Sequence, residues 1–237
     1  MGNIYKPTYR RDYTGETISY VEDAVQKSMF VKPRDLPHDW YTRNAIVLGN
    51  GLSRLDPSIQ LLLNQNNQRV AEGYKLTYAC NAAYRDTRAD YYVIKNNIFF
   101  SDIPLNNYNK MFVSNDNYIT YRDTNLLPNS YHFDAGTSAA YLAAFDGAEK
   151  VFLFGFDGTD GVTSENVYAD TFGYESRYYI EDFQKFHVFL YNVIKAYSST
   201  QFYRVRTPMS NHFYDILKQL PNYHEVSVRD AVLLGDF

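Results

Sequence analysis

The chain contains 237 residues with a formal net charge of −4, and 45% of its residues are hydrophobic. This length and composition suit one α/β domain with an extension, and they exclude a wholly disordered chain. The single cysteine excludes an intramolecular disulfide and a cysteine-rich zinc site, and the mild acidity argues against nucleic-acid binding through a basic surface.

Neither membrane insertion nor secretion is expected from the sequence. It holds no run of about 18 apolar residues, so no membrane span is predicted. The first residues, MGNIYKPTYRRDY, are charged and rich in tyrosine, which is not typical of a secretory signal. We therefore expect a cytoplasmic protein.

Residues 1–42 differ from the rest of the chain and are predicted to form an N-terminal arm. Four apolar residues of this segment are spaced as on one face of a helix: Ile18, Val21, Val25 and Met29. A helix this short needs a surface to pack on. The sequence therefore predicts one amphipathic helix, held by the chain's own domain or by a neighbouring subunit.

Residues 43–237 are predicted to form a Rossmann-like α/β domain, because apolar runs alternate with amphipathic segments. Predicted strands cover residues 44–51, 75–83, 89–97, 110–116, 149–157, 201–207 and 225–228, and predicted helices begin near residues 57, 135, 178 and 210. This alternation implies a doubly wound, mainly parallel sheet with helices on both faces.

Glycines and small polar residues follow the first predicted strands, where ligands bind in open parallel sheets. They are, in chain order, Gly49, Asn50, Gly51, Ser53, Asn81 and Asn96. Glycines let the backbone approach a ligand, and amide side chains suit sugar hydroxyls and pyrimidine edges. Turn formation explains each asparagine alone better than ligand binding does, so the interpretation as a binding rim depends on the whole set.

The start of the helix predicted near residue 135 is a second candidate binding site. Free amides at Gly136 and Thr137, together with the helix dipole, can bind a phosphate. The alternative is an ordinary N-cap by Asp134 or Thr137. The first loop matches neither the G-x-G-x-x-G nor the G-K-[ST] motif, so neither a dinucleotide site nor a P-loop is expected.

Four segments carry a resemblance to a known family. They are VLGNGLS (47–53), ACNAAY (79–84), GTSAAYLAAFDGAEKVFLFGFD (136–157) and VYAD (167–170). Their order and motifs resemble those of the bacterial sialyltransferases of glycosyltransferase family 42. The same skeleton is similar to the hydroxymethylpterin pyrophosphokinase-like family of unknown function. The resemblance covers about residues 44–170.

The resemblance implies a metal-independent glycosyltransferase that uses a CMP-type nucleotide sugar and a glycan acceptor, with no cofactor. It places the Gly49–Gly51 loop along the donor phosphate and ribose, and Asn81 and Asn96 against the nucleotide or sugar. It makes Tyr168 a hydrogen-bond donor to the departing phosphate and gives the role of general base to a downstream histidine, for which His187 is the nearest candidate.

The chain departs from the family pattern at several of these positions. Leu52 replaces a proline in the first loop, Thr159 stands where a second tyrosine is expected, and Asp134-Ala135 replaces a pair of small polar residues. The residues expected to bind the donor are thus kept more fully than those expected to act in catalysis. His212 is a second candidate for the base.

Two functions of different classes therefore remain open, with nucleotide binding without turnover as a third that lies between them. One is the glycosyltransferase. The other is a non-catalytic structural or assembly protein, for example a phage virion component, that keeps the fold and forms a homo-oligomer or larger assembly through residues 1–42. Aromatic residues make up 17% of the chain, which favours protein contact surfaces and hence the second function.

Overall fold

The computed structural model describes residues 13–34, 44–69, 74–158, 166–174, 180–208, 210 and 215–237. The strands within these ranges are β1 (Glu16–Glu22), β2 (Val25–Val31), β3 (Asn44–Leu48), β4 (Leu76–Cys80), β5 (Tyr91–Ile94), β6 (Met111–Val113), β7 (Asn125–Leu126), β8 (Lys150–Phe154), β9 (Gln201–Arg206) and β10 (Tyr223–Ser227). The α-helices are α1 (Pro57–Gln68), α2 (Asn115–Thr120), α3 (Ala135–Phe145), α4 (Ile180–Ala196) and α5 (Val228–Gly235). Across the described ranges, no helix combines the length and the hydropathy needed to cross a bilayer.

Eight strands form one parallel sheet in the order β10-β9-β8-β3-β4-β5-β6-β7. Strand β3 lies at the centre, with β4 on one side and β8 on the other. The strand order therefore reverses between β3 and β8, which is the topological switch point of a doubly wound fold. The predicted Rossmann-like α/β class is confirmed.

The sheet is buried on both faces because helices cover both. Successive residues of a strand point to opposite sides. Ala45 and Val47 of β3 pack in one core cluster with α3 and α4, whereas Ile46 and Leu48 pack in another with α1 and α5. All four side chains are fully buried. A continuous apolar run without polar alternation is what such a strand requires.

Most predicted elements coincide with observed ones, most of them with shorter bounds and β10 with longer ones. Helix α1 begins as its sequence indicates, since the Asp56 carboxylate accepts from the Ser58 amide at 2.9 Å and Pro57 occupies the first helical position. Of the helix predicted from Ser210, residues 211–214 lie outside the described residues and Asp215–Gln219 forms a 3-10 turn.

The amphipathic helix predicted in the arm is wrong, because β1 and β2 form an antiparallel hairpin. Asp23 and Ala24 make its two-residue turn with φ of 53° and 60°, the left-handed pair that matches the twist of hairpin strands. The strands are rich in β-branched and aromatic residues, which favour extended backbone. Ile18 faces inward and is buried, whereas Val21 is 70% exposed, so the two do not share a buried face.

The hairpin packs on the chain's own domain. Ile18 lies in a small apolar cluster with Leu126 of β7, and the Glu16 carboxylate accepts from the Asn129 amide at 3.0 Å. The rest of the predicted arm, residues 1–12 and 35–42, lies outside the described residues. Contact between the arm and another subunit stays a prediction.

Ala24→Gly tests the hairpin turn. Removing the Cβ relieves a left-handed alanine, so we expect the hairpin to gain about 0.5–1 kcal/mol and its amides to exchange more slowly with solvent. The control Ala144→Gly makes the same change inside α3 and lowers stability by about 1 kcal/mol or more. Hydrogen exchange measures the change in stability in both variants. Faster exchange over residues 16–31 in Ala24→Gly would contradict a left-handed conformation at Ala24.

Candidate functional site

A cavity of about 180 Å³ lies at the switch point, beyond the carboxyl ends of β3 and β8. Open α/β sheets bind their ligands at this place. The cavity is lined by Gly49, Asn50, Gly51, Cys80, Asn81, Asp134, Ala135, Gly136, Thr137, Gly155, Phe156, Asp157, Gly158, Asn166, Tyr174, Phe186, His187 and Leu190. Seven of the ten site residues predicted from the sequence are among them, and Ser53, Asn96 and Tyr168 are not.

The glycines of the first loop serve a contact with the loop after β8. The Gly49 amide donates to the Phe154 carbonyl at 2.8 Å, and the Gly51 amide donates to the Gly155 carbonyl at 2.9 Å. A Cβ at Gly49 would lie 2.5 Å from the Gly155 oxygen, and one at Gly51 would collide with the Asp157 carboxylate. Because two of its amides already have partners, the loop does not provide the row of free donors expected for a phosphate.

Asn50 lines the cavity and joins the first loop to the segment 166–174. Its carbonyl accepts from the Val167 amide, and its Nδ2 donates to the Tyr174 hydroxyl, both at 2.8 Å. Its Oδ1 is buried and has no hydrogen-bond partner among the described residues. Within the described part of the chain, Asn50 Oδ1 is therefore an unsatisfied acceptor in the wall of the cavity.

Ser53 has a structural position behind the cavity. It is fully buried, and its amide donates to Asp157 Oδ2 at 2.7 Å while its hydroxyl donates to Asp157 Oδ1. Burying a carboxylate is tolerated when such donors surround it. Ser53 thus anchors the aspartate that follows β8 and does not reach a ligand.

The two asparagines of the predicted rim are separated. Asn81 lines the cavity in a left-handed conformation (φ 42°), and its Oδ1 accepts from the Lys95 amide at 3.1 Å. Asn96 is exposed and caps a 3-10 turn by accepting from the Ile98 amide at 3.1 Å. The binding role predicted for Asn96 is therefore not supported by its placement, and turn formation explains it.

The start of α3 is occupied by a carboxylate of the chain. Asp134 is the N-cap, and its Oδ1 accepts from the Thr137 amide at 2.9 Å. Its Oδ2 is buried without a partner among the described residues, and burial raises the pKa of Asp134. The capping alternative is confirmed, and the phosphate site predicted at Gly136 and Thr137 already holds a negative group.

His187 lines the cavity from α4, as a base acting on a bound ligand must. Its side chain is 4% exposed. Burial, and secondarily the charge of Arg204, lower the pKa of His187 to about 4. The imidazole is therefore neutral at pH 7 and can accept a proton or a hydrogen bond. The other candidate, His212, lies outside the described residues, as does Thr159.

Tyr168 does not share the cavity with His187. Its hydroxyl donates to the Asp86 carboxylate at 2.6 Å and accepts from Arg54 Nη2 at 2.7 Å. Arg54 is 1% exposed and the Asp86 side chain is 43% exposed, so this cluster runs from the interior to the surface. Tyr174, six residues further on, lines the cavity instead, and no pattern in the sequence distinguishes the two tyrosines.

Arg204 holds two cavity-lining residues in place, and this role was not predicted from the sequence. It is 1% exposed in β9, where its Nε donates to the Phe156 carbonyl at 2.6 Å and its Nη2 to the Asp157 carbonyl at 2.9 Å. Its Nη1 pairs with Glu225 at 3.0 Å. An arginine within the apolar alternation of QFYRVRT was the available signal, since a buried cation needs several acceptors.

Among the described residues, neither a reactive thiolate nor a metal-binding cluster is evident. Cys80 is buried in the cavity floor, and burial raises its pKa to about 12, so it is a neutral thiol. No three His, Cys, Asp or Glu side chains in the described ranges are grouped to hold a metal ion.

Comparison of the chain with models of protein families, with curated proteins and with solved structures finds no match. The site described above is therefore interpreted from its own geometry.

Gly49→Ala tests the loop contact. The added Cβ meets a backbone oxygen that cannot turn aside, so we expect a loss of about 2–4 kcal/mol in the free energy of unfolding, measured with urea. The matched variant Gly136→Ala has its nearest neighbour at 3.2 Å, in the Asp134 side chain, and should stay within about 1 kcal/mol of the unaltered chain. Equal losses in both variants contradict the contact.

His187 should give the stability a pH dependence with a defined sign. Between pH 6.5 and about 4 the unfolded chain binds a proton at His187 that the folded chain does not bind. The free energy of unfolding is therefore unaffected by this proton above pH 6.5. It falls as the pH drops below 6.5, by up to about 1.4 kcal/mol per pH unit. His187→Gln lacks this dependence, so the stability difference between the two proteins shrinks on acidification. A constant difference in urea titrations from pH 7 to 4.5 contradicts the burial of a neutral imidazole.

Proposed function

We propose that the chain is a nucleotide-sugar-binding protein of sialyltransferase-like type, which transfers a sugar from a CMP-type donor to a glycan acceptor. The observation that carries this proposal is the composition of the cavity at the switch point. It combines the amides of Asn50 and Asn81 with the rings of Phe156 and Phe186. Amides bind hydroxyls and pyrimidine edges, and aromatic rings pack against the apolar faces of sugars and bases.

The proposed reaction gives His187 the role of general base. The acceptor oxygen forms a bond to the anomeric carbon while the bond from that carbon to the donor phosphate breaks. The electron pair leaves with CMP, and the acceptor's proton moves to the imidazole, which its low pKa keeps neutral at pH 7. Tyr174, whose hydroxyl accepts from Asn50 Nδ2, takes the role that the resemblance assigns to Tyr168, because Tyr174 lines the cavity and Tyr168 does not.

The hairpin favours a second function, that of a non-catalytic assembly protein such as a virion component. Val21 at its tip is 70% exposed, and Val25 and Phe30 are each 56% exposed. Exposed apolar side chains on the hairpin suit contact with another copy or another protein. In this function the cavity is a remnant of the fold and binds no nucleotide.

Thermal melting with CMP, UMP and CMP-sialic acid tests the first function. A ligand at about 100 times its Kd stabilises the folded state by about 2.7 kcal/mol, which for a chain of this size raises the Tm by several degrees. We expect this rise with the cytidine ligands, and a smaller one or none in Asn50→Ala. Asn96→Ala is the matched control outside the cavity and should keep the full rise.

Two further measurements complete the experiment, an activity assay of a His187 variant and a measurement of oligomeric state. His187→Gln should keep the rise in Tm with CMP-sialic acid and lose donor hydrolysis and transfer. The absence of a rise with every nucleotide contradicts the first function. Mass photometry that then shows an oligomer, dispersed by Phe30→Ser, supports the assembly function.

A further inference from the structure

The hairpin has a strand edge that pairs with no other strand in the described part of the chain. Strands β1 and β2 form a two-stranded sheet of their own, separate from the main sheet. Strand β1 contacts α2, whereas five of the seven residues of β2 are exposed. The outer edge of β2 therefore presents a row of backbone donors and acceptors, which is a template for a further strand.

The turn of the hairpin determines which backbone groups point outward. In a hairpin with a two-residue loop, the residues that flank the loop form a hydrogen-bonded pair, and the two kinds of pair then alternate along the strands. Glu22 and Val25 flank the loop, so the non-hydrogen-bonded positions of β2 are Gln26, Ser28 and Phe30. The amides and carbonyls of these three exposed residues face away from β1.

Strand β2 lacks the usual protection of an exposed edge. Natural proteins interrupt such edges with prolines, bulges or charged side chains. Strand β2 contains no proline, and its seven residues pair with β1 in unbroken register. Its single charged residue, Lys27, is paired with Glu22 of the same hairpin at 2.6 Å. The edge therefore stays accessible to a further strand of low charge.

The edge of β2 is also complementary to itself. When two copies pair antiparallel about a two-fold axis at Ser28, Gln26 of each copy lies opposite Phe30 of the other, and Lys27 lies opposite Met29. Each outward-facing backbone group then meets an outward-facing residue of the other copy. An axis at Lys27 would instead place two like charges directly opposite each other, which destabilises a strand pair.

We propose that the edge of β2 is a docking surface for a second copy of this chain, so that two hairpins join into one four-stranded antiparallel sheet. The side chains at the non-hydrogen-bonded positions of both strands are uncharged, which favours this occupant. A single strand pair buries less than the roughly 1,200 Å² of a stable interface, so the dimer is weak. The inference does not depend on the nucleotide-sugar function, because the edge pairs whether or not the cavity binds a ligand.

Hydrogen exchange of the full chain at about 10 µM and about 500 µM tests the contact, with sedimentation velocity in parallel. The amides of Gln26, Ser28 and Phe30 should exchange several-fold more slowly in the concentrated sample, in which a dimer sediments. The amides of Lys27 and Met29 are bonded within the hairpin at both concentrations and should change little. Protection that does not depend on concentration means that another part of the chain covers the edge, and overturns the proposal.

Two proline variants separate the edge from the hairpin. Ser28→Pro removes an outward-facing amide and no hydrogen bond within the hairpin, so it should abolish the dimer while the monomer stays folded. Ser19→Pro makes the same change at the position opposite Ser28, on β1, and should leave the dimer intact.

Two charge variants test the axis without changing the backbone. Ser28→Lys and Ser28→Glu each place like charges opposite each other, so each variant alone should dimerise about threefold more weakly, and an equimolar mixture should recover the dimer. Ser19→Lys adds the same charge to the same face, one strand away from the axis, and should have little effect.

The remaining outcomes each decide the proposal. A chain that stays monomeric in the concentrated sample contradicts it. So does a dimer that Ser28→Pro leaves intact, since that dimer forms at another surface. If both proline variants remove the dimer, recovery in the mixture of charge variants supports pairing at β2, and lack of recovery overturns it.

Discussion

The loops after β3 and β8 touch backbone to backbone, and this contact determines where the cavity lies. The contact is possible because Gly49 and Gly155 carry no side chains, and Gly155 also adopts a left-handed φ of 70°. From β9, Arg204 holds the carbonyls of Phe156 and Asp157, so the second loop is fixed on its other side as well. The space beyond this junction, bounded by α3 and α4, becomes the cavity.

Buried polar groups fix the surroundings of the junction. Asp157 is held by Ser53, and Tyr168 is held by Arg54 and Asp86. Buried ion pairs and hydrogen bonds add little net stability because desolvation opposes them, but breaking one side is costly. They therefore specify one arrangement of the loops. Several polar residues that look like ligand contacts in the sequence belong to this internal framework instead.

The fold was predictable because strand β8 and its neighbours are continuous apolar runs, and only a sheet covered on both faces buries such runs. The strand order, and with it the switch point between β3 and β8, does not follow from this pattern. The partners of polar side chains were not predictable, since Ser53 meets Asp157 across 104 positions of the chain. The helix predicted over Ile18–Met29 was wrong because a spacing of 3 and 4 among few residues does not exclude a period of two, and the left-handed turn at Asp23 and Ala24 carries no glycine to mark it.

The buried thiol of Cys80 gives the cavity an intrinsic chemical reporter. It is the chain's single cysteine, it lies in the cavity floor, and its raised pKa keeps it protonated. Alkylation therefore requires an opening of the surrounding structure. When the structure recloses faster than the thiol reacts, the rate of alkylation reports the free energy of that opening. Any ligand that fills the cavity slows the reaction, so occupancy can be followed without a label. A second cysteine introduced at the surface would react far faster than the buried Cys80 and would be modified selectively.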